Sequence, residues 1–263
     1  MRFLVSNDDG YLSPGLYLLA ESVRELGEVV IASTEVPRSA TGREITFNRP
    51  LRLARKKWFG WHVYVTDGTP IDSVHLVIEV LGFKPDLVLS GINVGDNLSL
   101  QHIFYSGTVA IAIEAALMKI PAIAFSSDVE SFEDFENEEF RKLSNHVVRG
   151  VTEYVLNKGL PQGVDILSVN IPVRFKGCVD VVKATKVRWE ASYRKSVDPR
   201  GREYYWLAGI RSVAEPGSDV SRFEEGCVTV TPLKIDLNSD ASVLKDLHAL
   251  EEVLSTRVDW QRV

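Results

Sequence analysis

Two adjacent carboxylates, Asp8 and Asp9, follow closely on the apolar run Phe3-Leu4-Val5. Like charges at the end of a strand repel unless something positive lies between them. A hard divalent cation meets that need, and carboxylate, hydroxyl and amide oxygens are the ligands it prefers. Ser39, in the loop Pro37-Arg38-Ser39-Ala40-Thr41-Gly42, and Asn93, in Ser90-Gly91-Ile92-Asn93-Val94-Gly95-Asp96-Asn97, would join Asp8 and Asp9 in an all-oxygen partial shell. Positions would remain for water and substrate. The plainer reading is that Asp8 or Asp9 merely caps the loop that follows. A second candidate, Tyr105-Ser106-Gly107-Thr108, stands before the apolar stretch VAIAIEAALM. Ser or Thr at the start of a helix is most often just a cap. The same place also offers free backbone N–H groups, two hydroxyls and the positive end of the helix dipole, which together suit a phosphate.

These residues need a sheet to position them. Residues 2–6 (RFLVS) read as a short buried strand. Ser13 as N-cap, Pro14 at the first helical position and Gly27 as the stop delimit a helix, within which Leu16, Leu19, Ala20, Val23 and Leu26 recur at helical spacing. Residues 28–33 (EVVIAS) supply a second strand, and such βαβ units favour a parallel sheet covered by helices on both faces. The alternation continues with strands at 62–66 and 86–90 around a helix near 70–82, then a helix from about Thr108 to Lys119 leading into PAIAFS. A further helix at about 136–157 and the strand DILSVNI at 165–171 end the strongly alternating part. Ligands of open parallel sheets bind beyond the carboxyl ends of the strands, where all three polar segments fall. After about residue 175 the pattern changes. Segments 179–189 and 203–211 alternate apolar or aromatic with basic residues around Asp198-Pro199-Arg200-Gly201, which reads as a long hairpin. A late strand at 227–237 and an amphipathic helix at 240–255 follow. The expected fold is a three-layer α/β/α, Rossmann-like core with a mainly parallel sheet over residues 1–175. Residues 176–263 would add a hairpin arm, a strand returning to the core and a C-terminal helix used in oligomerisation.

The 263 residues carry 30 Lys+Arg against 36 Asp+Glu, a formal charge of −6. Seven acids and no base fall between Asp128 and Glu139, most simply a solvated surface, and the remainder is near neutral. That distribution argues against duplex nucleic acid or an anionic membrane as a partner. No stretch approaches the ~18–20 apolar residues of a membrane span, and the apolar run within MRFLVSNDDG is too short for a secretory signal. Cys178 and Cys227 have no metal-binding spacing, and a disulfide between them is possible but unnecessary at this size, so the expected location is a reducing cytoplasm. In the arm, Lys183, Lys186, Arg188, Arg194, Lys195 and Arg200 interleave with Trp189, Tyr193, Tyr204, Tyr205 and Trp206. This mixture suits single-stranded nucleic acid or, in preference, a protein interface.

Taken together, NDDG with Pro14-Gly15, Arg38-Ser39, Gly68-Thr69-Pro70 with Asp72, SGINVGDN, YSGTV and Thr231-Pro232-Leu233 resemble the SurE family of metal-dependent nucleotidases. The motifs occur in the family's order and span residues 7–233. The resemblance implies a divalent-cation-dependent phosphatase acting on nucleoside monophosphates, with one Mg2+ or Mn2+ per subunit. It implies Asp8, Asp9, Ser39 and Asn93 as metal ligands, and Asn97, Ser106, Gly107 and Thr108 on the phosphate side. It also implies a homodimer or homotetramer built through the hairpin arm and C-terminal segment. Three positions depart from the family pattern: Ala40 stands for a glycine, Ser73 for a cysteine and Ser13 for an alanine.

The expected chemistry is in-line hydrolysis of a phosphomonoester, with Asp8, Asp9 and Asn97 as the catalytic residues. The leaving-group acid is not identified: His102, between Asn97 and Ser106, is close enough in sequence to lie near the site, but its plainer reading is a solvent-facing loop histidine. An aspartyl-phosphate phosphatase would need a second Asp two positions after its nucleophile, where this chain has Gly10 or Tyr11. A nucleotide-sensing module without turnover is the non-enzymatic alternative.

Overall fold

Phe3 and Val5 of the first strand point to one side of a sheet and Leu4 to the other, and all three are fully buried. Successive strand side chains alternate between faces, so an unbroken apolar strand must be covered on both. A computed structural model of the chain describes residues 1–186, 188–239 and 242, and shows how that is done. The elements of the first half are β1 (Arg2–Ser6), α1 (Pro14–Val23), β2 (Glu28–Thr34), β3 (Leu53–Trp58), β4 (Trp61–Thr66), α2 (Pro70–His75), β5 (Leu87–Val94), α3 (Ser99–Tyr105) and α4 (Gly107–Leu117). Then come β6 (Ala122–Ser127), α5 (Glu138–Lys158), β7 (Ile166–Ile171), β8 (Val179–Val181), β9 (Trp189–Val197), β10 (Glu203–Arg211), α6 (Asp219–Glu224) and β11 (Val228–Leu233).

Nine strands form one sheet in the order β3-β4-β2-β1-β5-β6-β7-β11-β8, and the six from β4 to β7 run parallel. Only the β3–β4 and β11–β7 pairings within it are antiparallel. Phe3, Val5, Leu89 and Phe125 face a core shared with α1 and α5, while Leu4, Val88 and Ala124 face the core shared with α2 and α4. The three-layer α/β/α arrangement is therefore as expected. The chain builds outward from β1 to β2 and β4, then crosses to β5 and builds the other way. The crossover makes the gap between β1 and β5 the topological switch point, where open α/β sheets bind ligands.

Several local expectations shift. Residues 179–181 pair with β11 in the main sheet instead of beginning the hairpin. The hairpin strands are Trp189–Val197 and Glu203–Arg211, paired from Trp189↔Arg211 to Val197↔Glu203 as a separate two-stranded sheet. The turn sets that register: Asp198 Oδ1 accepts from the N–H groups of Arg200 (2.8 Å) and Arg202 (2.9 Å). Ser13 does precede α1, but its hydroxyl caps nothing and lies buried without a hydrogen-bond partner among the described residues. The acidic segment is not wholly a solvated surface, because a 3-10 turn at Phe132–Glu136 drives Phe135 into the core against Phe140. Cys178 and Cys227 form a disulfide instead of the reduced pair expected. The helix expected at 240–255 falls, except for Ser242, outside the described residues. Met1–Leu233 forms one compact unit. Among the described residues no single helix is long and apolar enough to cross a membrane.

Candidate active site

The chain leaves β1 in a buried turn, Asn7-Asp8-Asp9-Gly10, at the switch point. Asn7 ties the turn down: its Nδ2 donates to the Gly10 carbonyl (3.2 Å), and Ser33 Oγ on β2 donates to its Oδ1 (2.6 Å). Asp8 and Asp9 are 4% and 8% exposed, so two carboxyls sit side by side almost out of water.

α4 packs its first turn against Asp8. A Cβ on Gly107 would lie 2.7 Å from both Cβ and Oδ2 of Asp8, so only glycine lets the helix approach this closely. Ser106 is its N-cap, with Oγ accepting from the Val109 N–H (3.0 Å), and Ser90 Oγ on β5 donates to the Thr108 carbonyl (2.7 Å). The Thr108 hydroxyl donates to Asp8 Oδ1 and lies 3.2 Å from Asn93 Oδ1. Oxygens from the ends of β1 and β5 thus converge on one hydroxyl. The Asn93 amide donates to the carbonyls of Val94 (3.2 Å) and Gly95 (2.7 Å), which fixes the orientation of its Oδ1. The Val94 N–H donates to Asp9 Oδ2 (3.0 Å). From the other side, Arg38 N–H donates to the Asp8 carbonyl (2.7 Å) and brings in the exposed Ser39.

Burial pushes the Asp8 carboxyl above its usual range, against the pull of Thr108 and of the main-chain N–H groups of Gly107 and Thr108. Burial, and then the charge of Asp8, push Asp9 up to about 8. Among the described residues no Lys, Arg or His pairs with either carboxylate, and no third carboxylate, His or Cys joins them. A pair of desolvated acids, neutral oxygens beside them and no protein cation is a donor set that fits a hard divalent ion.

Asp8, Ser39, Asn93, Asn97 and Ser106 line one cleft of about 240 Å³, together with Asp96, His102 and Tyr105. Asp9, Gly107 and Thr108 are not among its lining residues; they touch it through Val94, Asp8 and Asn93. Asn97 is held by two contacts, its N–H donating to Asn170 Oδ1 (2.9 Å) and its Nδ2 to Ser126 Oγ (2.7 Å). A larger cavity, about 450 Å³, lies against Tyr154, Leu167 and Val230, but its lining has no carboxylate or cationic side chain.

The description "Survival protein SurE" matches residues 3–194 of this sequence. The chain belongs to the SurE family. It is 45% identical to the 5′-nucleotidase SurE of Pyrobaculum arsenaticum, over 91% of each chain. It is 43% identical to 5′-nucleotidase SurE 1 of Thermus thermophilus, over 91% of this chain and 94% of that one. The solved SurE protein of Aquifex aeolicus superposes with a TM-score of 0.79 at 37% identity, covering 95% of this chain and 100% of the other.

Other SurE motifs act as struts around the cleft. A Cβ on Gly15 would sit 2.2 Å from the Ile92 carbonyl, so Pro14-Gly15 lets α1 lie across the strand that carries Asn93. Thr69 and Asp72 form a reciprocal capping box on α2, and Asp72 also accepts from the N–H (3.2 Å) and hydroxyl (2.7 Å) of Thr46. Ser73, in the family's cysteine position, bonds Ser6 Oγ (2.9 Å) and the Pro70 carbonyl (2.6 Å) inside the core. Ala40, in place of glycine, has φ +57°, the left-handed region that a Cβ disfavours.

Sequence reasoning missed one assembly. His102 is not on a loop but on α3, where its Nδ1 lies 3.2 Å from Asp96 Oδ1. Arg188, only 3% exposed, reaches Asp96 Oδ2 at 3.4 Å from a segment 92 residues away. Burial alone would raise Asp96, but His102 and Arg188 outweigh it and hold the carboxyl below the usual range. The only signal within the sequence was the placement of Asp96 in SGINVGDN, six positions before a histidine.

Proposed function

We propose that this chain hydrolyses nucleoside 5′-monophosphates, with 3′-monophosphates as a further substrate class, to nucleoside and phosphate. The observation that carries the reading is the buried Asp8–Asp9 pair facing Asn93 at the switch point, beside the start of α4. The names of the Pyrobaculum and Thermus relatives support the same reaction class.

Asp8, Asp9, Ser39 and Asn93 would hold one divalent cation per subunit, Mg2+ or Mn2+. Such an ion, when bound, polarises phosphoryl oxygens and lowers the pKa of water at neutral pH. Thr108 and the first turn of α4 fix Asp8, and the Val94 N–H fixes Asp9, so one of these carboxylates orients or deprotonates the attacking water. The Ser106 hydroxyl accepts as a cap, which leaves its proton to donate to a phosphoryl oxygen. The second N–H of the Asn97 amide, whose partner on Ser126 uses only one, completes the phosphate side, while Gly107, its own N–H turned to Asp8, serves that side by letting the first turn of α4 come close. Preformed donors of this kind stabilise charge as it redistributes in phosphoryl transfer.

Phosphate release from a panel of nucleoside 5′- and 3′-monophosphates, with several divalent ions, tests the proposal. Release that requires an added ion and disappears in Asp8→Asn supports it. Near-wild-type turnover of that variant with Mg2+ or Mn2+ sinks the scheme. Saturable AMP binding without release would favour a sensing module, and labelled phosphate retained on the chain after acid quench would favour an aspartyl-phosphate route.

A homodimer or homotetramer formed through the hairpin arm and C-terminal segment belongs to the same proposal. Support comes from the exposure of Tyr193, Tyr205, Trp206 and Leu207 along β9 and β10, each more than half exposed. Loss of the oligomer on deleting 190–203, measured as mass in solution, is the expected result. A cytoplasmic setting is also proposed, which would place Cys178–Cys227 among the uncommon cytosolic disulfides.

A further inference from the structure

Ester hydrolysis needs a proton for the departing alkoxide, and Asp8, Asp9, Asn97 and Ser106 do not supply one once the carboxylates serve a cation and water. The cleft has two other titratable side chains besides Asp96 itself, His102 and Tyr105. His102 is one-quarter exposed, and its Nδ1 is engaged by Asp96 Oδ1 at 3.2 Å. Asp96 is in turn held by Arg188 Nη2 (3.4 Å), whose Nη1 pairs with Glu224 on α6 (2.9 Å). Gln101, next to His102 on α3, accepts from the N–H groups of Arg188 (3.1 Å) and Trp189 (3.0 Å) and donates to the Trp189 carbonyl (3.0 Å). α3 and the Arg188 segment are therefore locked together. The main chain of His102 is tied to the phosphate side as well, since the Ser106 N–H donates to its carbonyl (2.9 Å).

We propose that His102 is the acid that protonates the leaving group, with Asp96 and Arg188 as positioning residues; this rests on the nucleotidase reading above. A carboxylate on Nδ1–H fixes the ring and leaves Nε2 as the nitrogen with a proton to give, on a side chain that lines the cleft. The water oxygen forms a bond to phosphorus as the bond from phosphorus to the ribose oxygen breaks. The Nε2 proton passes to that departing oxygen, the proton lost by the water passes to the carboxylate pair, and the imidazole is reprotonated from solvent. Arg188 keeps Asp96 ionised and turned toward the ring. Tyr105, 57% exposed and with no hydrogen bond fixing its hydroxyl among the described residues, is the poorer candidate.

Leaving-group dependence separates this role from a structural one. AMP expels an alkoxide that needs a proton, whereas p-nitrophenyl phosphate expels a stable phenolate that does not. In His102→Asn, kcat for AMP should fall by about 100-fold, within the range for loss of a general acid. The ratio of AMP to p-nitrophenyl phosphate turnover should fall at least tenfold. Asp96→Asn should shift the ratio in the same direction by less. Equal losses on both substrates, or a ratio that moves in Tyr105→Phe and not in His102→Asn, would overturn the proposal. A wild-type protein that hydrolyses neither ester would instead overturn the nucleotidase reading. Circular dichroism and the melting temperature of each variant check separately that it is folded.

Discussion

Stripping the cation from the Asp8–Asp9 pair should make the fold sensitive to pH in a window where most proteins are not. Asp9 is raised from 3.8 to about 8, by burial first and by the Asp8 charge second. Its folded pKa exceeds its unfolded one, so the stabilisation is fully present below about pH 3.8 and is lost as pH rises through about 8. In between, the folded chain holds a proton that the unfolded chain has released, and stability falls with pH. At about 1.4 kcal/mol per pH unit the interval corresponds to on the order of 5 kcal/mol. Total stability is only about 5–15 kcal/mol, so this is a large fraction. In a domain of this size 1 kcal/mol moves Tm by about 2–4 °C. Chelated wild-type protein should therefore melt roughly 10–20 °C lower at pH 8.5 than at pH 4.5. Asp96, whose pKa is lowered, acts in the opposite sense and only as pH falls below the usual carboxylate range, so it does not mask the effect. In chelator, Asp9→Asn should weaken the pH dependence, leaving the share that the buried Asp8 carries, and melt above wild type at pH 8.5, because Asn keeps an acceptor for the Val94 N–H and sheds the charge. Added Mn2+ should stabilise wild type strongly at pH 8.5 and the variant little. Thermal melts at four pH values, with and without Mn2+, decide the matter. A flat wild-type profile in chelator, or a variant less stable than wild type at pH 8.5, would refute the reasoning.

Gly107→Ala should leave the fold intact but lower turnover by about 100-fold, because its Cβ would displace the Asp8 carboxyl from 2.7 Å and small misplacements of reacting groups have effects of that size; kcat/KM and circular dichroism check it. Ala40→Gly should change Tm by only a few degrees, since relief of about 1 kcal/mol at φ +57° is offset by the greater chain entropy of glycine. Ala40→Val should cost roughly 2 kcal/mol or more, seen in urea denaturation. Removing the Cys178–Cys227 bond, which closes a loop of 49 positions, should lower stability by ~4 kcal/mol while activity well below the new Tm is retained; melts of the double Cys→Ser variant test this.

Much of the alternating core was legible because local rules and tertiary demands agree there. RFLVS, EVVIAS and PAIAFS are apolar on both faces, which only a sheet buried on both sides satisfies, and they became β1, β2 and β6 almost residue for residue. Agreement failed where a local pattern was incomplete. β3, with its run of Arg and Lys, shows no buried face in sequence and is paid no attention by any periodicity rule; it forms because β4 offers it an edge through the tight turn at Phe59-Gly60. α3 carries no cap signal, and it is held by contacts such as the Ser99 N–H to Asp219 Oδ2 at 2.7 Å, 120 residues away.

The candidate site divides in the same way. Residue types alone pointed to an oxygen-rich cation site beside the plainer reading of a loop cap, because adjacent carboxylates at the end of a buried strand repel unless something positive lies between them. The order of motifs was enough to place the chain in its family. Only the tertiary structure decided that Ser106 caps while Thr108 turns its hydroxyl to Asp8, since both hydroxyls look alike in YSGTV. Only it decided that Asp96, His102 and Arg188 meet, because sequence carries no record of which residues a hairpin base and a helix will bring together across 92 positions. Composition and order reflect what each segment must bury, whereas the partners of a buried charge are fixed by packing, and packing is a property of the whole fold.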